Sequence, residues 1–135
     1  MDKRYFTVRE ANLILPTIKP ILTKIMGIHR GLENVGDVSV SFNDEFPAYV
    51  HAVTVSEKYY QIAYELYKEI KKLLEIGCIV KDGRIGLVDF YAQFNGEDIF
   101  LCYRLGEQKI TMWHDMVSGY QGRKPISLLE KHEQQ

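Results

Sequence analysis

At Gly77 the spacing of apolar residues changes period, and that change fixes the fold class. Upstream, Ile14, Ile18, Ile21, Ile25, Ile28, Leu32 and Val35 recur at alternating steps of four and three. Tyr49, Val53, Ser56, Tyr60, Ala63, Tyr67, Ile70 and Leu74 repeat the rhythm. Such steps keep side chains on one face of an α-helix, so each run predicts a helix whose seam meets a partner. Downstream the pattern turns to alternation interrupted at Asp82-Gly83 and Asn95-Gly96, dipeptides that supply the positive φ angles of tight hairpin turns. Helices first and strands second predict an α+β domain, an N-terminal antiparallel helical hairpin packed on a C-terminal antiparallel β-meander of three to four strands.

Local signals set the expected boundaries. Thr7-Val8-Arg9-Glu10 has the form of a capping box, with Phe6 ahead of it as a hydrophobic staple, so the first helix is expected over 8–35. Pro16 and Pro20 each remove an amide and crowd the preceding turn, which predicts a kink or short break there. Gly36 to Phe46 reads as a loop, Pro47 suits the first turn of a second helix over 47–76, and Gly77 suits its C-cap. The meander is expected over 78–115, followed by a loop and tail over 116–135 that ends in a frayed polar segment, Glu130 to Gln135. The tyrosines of the second seam are expected to be core packing with wet hydroxyl ends. Gly27 with Gly31, and the isolated His29 and His51, enter no site.

Composition narrows the partners. A chain of 135 residues, 46% hydrophobic and 26% charged, suits a single domain over 1–135 that buries a core without disulfides or a structural metal. A net charge of −1 argues against a bulk electrostatic grip on nucleic acid. No apolar run has the length to cross a bilayer, and the first residues lack the form of a signal peptide, so no membrane is expected and the location is read as cytoplasmic. Cys78 and Cys102 have no metal-finger spacing and read as free thiols of a reducing compartment.

The strand registers place the chemistry. If Asn95-Gly96 makes a two-residue turn, Ala92 faces Ile99, Phe90 faces Leu101 and Val88 faces Tyr103 on one apolar side. The other side then carries Leu87, Asp89 and Tyr91 beside Phe100, Cys102 and Arg104, with Asp89 across from Cys102. The next strand, Lys109 to His114, returns after a turn near Gly106-Glu107. A loop of odd length brings His114 beside Cys102 and Arg104, and one of even length sends it to the apolar side. The sequence leaves both open.

At these residues the chain resembles the prokaryotic family catalogued as domain of unknown function 2203. The resemblance runs through Phe6-Thr7-Val8-Arg9-Glu10-Ala11-Asn12 with Leu15-Pro16, Val80-Lys81-Asp82, Gly86-Leu87-Val88-Asp89-Phe90, and Cys102 with Arg104-Leu105-Gly106-Glu107. It continues in Trp113-His114 and in Gly119 with Gly122-Arg123 and Pro125. Tyr91, Tyr103 and Tyr120 stand where the family commonly has proline, tryptophan and phenylalanine. The resemblance implies a shared architecture and a shared site region, and no particular reaction.

Three chemistries suit these side chains. Asp89, Cys102, Glu107 and His114 offer the carboxylate, thiolate and imidazole donors that zinc or iron accepts, with Asp89, Cys102 and His114 as the core of the set. Arg104 and Arg123, with glycines nearby and Glu107 and Trp113 as neighbours, suit a small anion. Cys102 activated by His114 and oriented by Asp89 suits nucleophilic catalysis. Against all three stands a structural network of Asp89, Arg104, Glu107 and Arg123 with Cys102, Trp113 and His114 as satisfied core residues. In that case function lies in a homodimer formed through the helical hairpin. The sequence favours a small binding protein with a metal or anion site on the meander over an enzyme.

Overall fold

The computed structural model describes residues 3–34, 46–127 and 129. Two helices, α1 (Val8–Asn34) and α2 (Phe46–Ile76), precede five strands: β1 (Cys78–Asp82), β2 (Leu87–Phe94), β3 (Glu97–Arg104), β4 (Met112–Asp115) and β5 (Lys124–Pro125). The strands form one antiparallel sheet in the order β1-β2-β3-β4-β5. The α+β architecture thus follows the expected order, with one strand more than the three to four expected. The extra strand is two residues drawn from what read as loop. It is held on β4 by the Ile126 N–H donating to the Thr111 carbonyl at 3.0 Å and by Trp113 Nε1–H donating to the Pro125 carbonyl at 3.1 Å.

The capping box forms as written in the sequence. The Glu10 N–H donates to Thr7 Oγ1 at 3.1 Å, and the Thr7 N–H donates to Glu10 Oε1 at 3.0 Å. Phe6 is buried edge-on against Phe90, with ring centroids 5.2 Å apart. From there α1 runs through Pro16 and Pro20 as one helix, so of the expected kink or short break the break is not formed. Its buried stripe is Val8, Ala11, Leu15, Ile18, Leu22 and Ile25, with Ile14 and Ile21 half-buried on the flank. Ile18 and Ile25 keep their expected places, while Leu15 and Leu22 are buried where Ile14 and Ile21 are expected, because α1 faces a sheet as well as a helix and needs a broad apolar face.

Helix α2 departs further. Of the expected seam, Tyr60 and Tyr67 are 68% and 57% exposed and Leu74 is exposed too, so its described tyrosines are not core; Tyr64 beside them is 62% exposed. Leu73 and Glu69 are buried instead, with Leu66 and Ile70 packed against the core. The period was right and the phase was wrong. Phenolic rings tolerate the wet side of a helix, and the inward position is open to Glu69 because two lysines meet it, Lys24 Nζ at 3.0 Å from α1 and Lys72 Nζ at 2.9 Å from its own helix. The helices run antiparallel: Arg4, just ahead of α1, donates to the carbonyl of Ile76 at the far end of α2 at 2.9 Å. Gly77 closes α2 at φ 105°, its N–H within reach of the Leu73 and Leu74 carbonyls. Val35, the loop expected before Phe46, the side chains of Tyr49, His51, Val53 and Ser56, and the tail Glu130 to Gln135 lie outside the described residues.

The sheet has two distinct faces. Asn95 at φ 53° and Gly96 at φ 77° make the two-residue turn, and β2 pairs with β3 in the expected register, with Asp89 opposite Cys102. The first hairpin differs: Asp82 still pairs with Leu87, so the turn spans Gly83 to Gly86 and positive φ falls at Gly86 rather than at Asp82-Gly83. Asp82 instead accepts the Arg84 N–H at 3.0 Å. Val88, Phe90, Ala92, Ile99, Leu101, Tyr103 and Trp113 join the α1 stripe in the core on the inner face. The outer face carries Leu87, Asp89, Phe100, Cys102 and His114, and it too is buried.

Candidate functional site

Alternation along each strand and the pairing of three strands bring Asp89, Cys102 and His114 together. β3 pairs with β4 so that Phe100 faces His114 and Cys102 faces Met112. The connection from Leu105 to Thr111 is odd in length, which puts His114 on the face of Cys102. That connection is held by tertiary contacts. The Ile110 N–H donates to Asn12 Oδ1 on α1 at 2.8 Å, the Leu105 N–H to the Gly86 carbonyl at 2.9 Å, and Tyr103 OH to the Glu107 carbonyl at 2.9 Å.

The ligand atoms of Asp89, Cys102 and His114 all lie within 4.8 Å of one another, and the residues are 1%, 1% and 4% exposed. His114 Nδ1 is 2.7 Å from the Asp115 carbonyl. A carbonyl only accepts, so Nδ1 carries a hydrogen and Nε2 is the nitrogen left to face Asp89 Oδ2 at 3.0 Å. With no ion between them, that contact requires one shared proton, either imidazolium donating to carboxylate or carboxylic acid donating to imidazole. Asp89 Oδ1 is buried with no hydrogen-bond partner. Burial pushes the Asp89 carboxyl up, and His114 opposes this without overcoming it. Burial, reinforced by the Asp89 charge, pushes the Cys102 thiol up to about 12, against the pull of Arg123.

The outer face is covered by the chain that follows β4. The Asp115 carboxylate accepts the N–H groups of Val117 and Ser118 at 2.9 and 2.6 Å and the Ser118 hydroxyl at 2.8 Å, and these bonds hold its pKa down to about 2. Arg123 follows a single 3₁₀ turn, Tyr120–Gly122. Its guanidinium lies 4.2 Å from the Tyr120 ring centroid, and Nη1 sits 3.6 Å from Glu107 Oε1. Between this segment, Lys81 of β1 and the sheet lies a cavity of about 180 Å³ whose walls include Asp89 and His114.

Of the residues singled out from sequence, Asp89, Cys102 and His114 come together, and the charge of Arg123 is felt at the Cys102 thiol. Glu107 meets Arg123 and also accepts the Arg104 N–H at 2.7 Å, outside the Asp89 cluster. Arg104 itself is exposed at the end of β3, and Trp113 faces the core on the opposite side of the sheet. Sequence reasoning passed over Lys81, Asp115 and the cavity-lining role of Tyr120. Lys81 was not readable, because the pairing of Ile79 with Asp89 and the irregularity between Val80 and Asp82 depart from the tight Asp82-Gly83 turn that the sequence suggests.

The family model described as Uncharacterized conserved protein (DUF2203) matches residues 4–126. The chain belongs to that family. The match spans both helices, the whole sheet and every residue of the cluster. Within it Gly86 serves the backbone. At φ 69° a Cβ there would meet Leu105 Cβ at 2.7 Å, so a bare glycine lets the β3–β4 connection close over the first hairpin. Tyr91 continues β2 and packs its ring 4.7 Å from that of Phe100, centroid to centroid. No curated protein and no solved structure matches the chain. No helix among the described residues is long and apolar enough to cross a membrane.

Proposed function

We propose that this protein is a small metal-binding protein in which Asp89, Cys102 and His114 hold a divalent transition ion, zinc ahead of iron, with a fourth position open to the cavity. The observation that carries the reading is a buried carboxylate, thiol and imidazole with ligand atoms within 4.8 Å of one another. Ligand atoms around a tetrahedral zinc lie about 3.3–3.6 Å apart, so the longest edge closes by roughly an ångström on loading. The contact behind the imidazole agrees, because a metal-bound histidine commonly donates its other ring N–H to a carbonyl, as His114 does to Asp115. The unpartnered Asp89 oxygen gains a partner, and the thiol, unreactive as it stands, gains the charge that ionises it. Three protein ligands leave room for a water or an exogenous ligand.

The cysteine-nucleophile reading is weakened by the same geometry. Both ring nitrogens of His114 are engaged, one by a carbonyl and one by Asp89, so neither is left to take the Cys102 proton. Titration of the protein with cobalt(II) tests the metal reading. A thiolate-to-cobalt band that is lost in Cys102→Ser and displaced by zinc supports it, and a wild-type protein that develops no such band refutes it.

A second reading concerns assembly. Ile18 and Ile25 are fully buried within their own chain, so that part of the α1 seam is not available to a partner. The exposed Tyr60, Tyr64, Tyr67 and Leu74 favour a homodimer through the outward side of α2 instead. Sedimentation equilibrium tests this: a dimer that Tyr64→Glu with Tyr67→Glu converts to monomer supports it, and a monomeric wild type refutes it. A cytoplasmic location accords with two buried free thiols.

A further inference from the structure

The cavity beside the cluster has a chemistry of its own. Its lining includes the Asp89–His114 pair, the apolar Leu87, Phe100 and Met116, and Lys81. Lys81 is exposed, and its ammonium lies 4.5 Å from the centroid of the Phe100 ring, another residue of the cavity lining. It forms no ion pair among the described residues, and the carboxylate whose charge it feels is Asp89.

The balance of charge favours an anion whether or not a metal is bound. Without an ion, Asp89 and His114 share a proton and are neutral as a pair, which leaves Lys81 in excess. With a divalent ion, the carboxylate and thiolate balance the metal, and Lys81 is again in excess. Leu87, Phe100 and Met116 add apolar surface, so a bare inorganic anion would leave much of the cavity unfilled. A benzene-sized cavity is about 150 Å³, which sets the size of an occupant at roughly six to nine heavy atoms.

We infer that this cavity binds a small organic monoanion, a short-chain or aromatic carboxylate whose charged end lies between Lys81 and the metal position and whose apolar end lies against Phe100. This rests on the metal reading in that the carboxylate shares the ion's open position; Lys81 and the apolar wall belong to the chain alone.

Calorimetric titration of tag-free protein with butyrate, before and after zinc loading and with bound zinc measured in each sample, tests the inference. Butylamine, 1-butanol and inorganic phosphate serve as probes of charge and apolar contact, and Lys81→Met is the variant, since it keeps the side chain's length over Phe100. Butyrate is expected to bind at least about tenfold more tightly than the three probes and to lose about tenfold in Lys81→Met. Protein that takes zinc but binds butyrate no better than butylamine, or equally well after Lys81→Met, overturns the inference and leaves the metal site standing. Protein that takes no zinc yet binds butyrate through Lys81 overturns the metal reading and supports the anion site. Protein that takes neither overturns both.

Discussion

His114 is the residue on which the site's chemistry turns, because the Asp115 carbonyl decides which nitrogen faces Asp89. Removing the imidazole leaves the Asp89 carboxyl buried without its ring partner. His114→Ala is therefore expected to cost the metal-free protein about 3 kcal/mol, the scale of breaking a buried pair. In Asp89→Asn the new amide can still donate to Nε2, so a loss nearer about 1 kcal/mol is expected. Urea unfolding of both variants checks this, and a larger loss in Asp89→Asn would contradict the tautomer assigned to His114. Glu69 is the other buried charge with a defined partner set. Its carboxyl is held below its ordinary value of 4.5, chiefly by Lys72 and then by Lys24. A lowered folded-state pKa means the contribution is complete above the unfolded value and fades as pH falls through the folded one. Glu69→Gln should thus cost about 1 kcal/mol at neutral pH, the two lysines left behind being solvated, and should flatten the loss of stability below the ordinary carboxylate range. Equal acid sensitivity of variant and wild type in melting curves would rule this out.

At the scale of elements, two glycines with positive φ hold positions that a side chain would strain. Gly96 lies at φ 77° in the turn that sets Asp89 opposite Cys102, and Gly77 lies at φ 105° with the Phe6 ring 2.9 Å from where a Cβ would sit. Gly96→Ala, with open space around it, is expected to cost about 1 kcal/mol from the backbone alone. Gly77→Ala should cost more, since it adds a steric conflict, and thermal melts that rank the two in the reverse order would contradict this. The same distinction explains what could be read from sequence. The β2–β3 register was legible because Asn95-Gly96 forms the two-residue turn these residues favour, and the start of α1 because Thr7 and Glu10 cap it locally. The face of His114 was not legible, because loop parity depends on Asn12 of α1 catching the Ile110 amide from a distant part of the chain. The phase of α2 was not legible either, since neighbouring phases share one period and only the positions of α1 and β1 choose between them. Lys24 reaching Glu69 is part of that choice.

The whole molecule divides its work between the two faces of one sheet. The inner face joins α1 in the hydrophobic core, while the outer face carries Asp89, Cys102 and His114 beneath the segment pinned by Asp115. Arg123 meets Glu107 and acts on the Cys102 thiol because β5, a strand too short to show in the sequence pattern, returns the chain along β4. The central claim is that the outer-face cluster holds a metal ion, and elemental analysis of tag-free protein, with Cys102→Ser and His114→Ala alongside, tests it most directly. The account predicts about one zinc or iron per wild-type chain and a large loss in both variants, as expected for a three-ligand site deprived of one donor. A metal-free wild type that still takes up no zinc when supplied with it would contradict the claim and leave the cluster as a buried polar network that holds the sheet together.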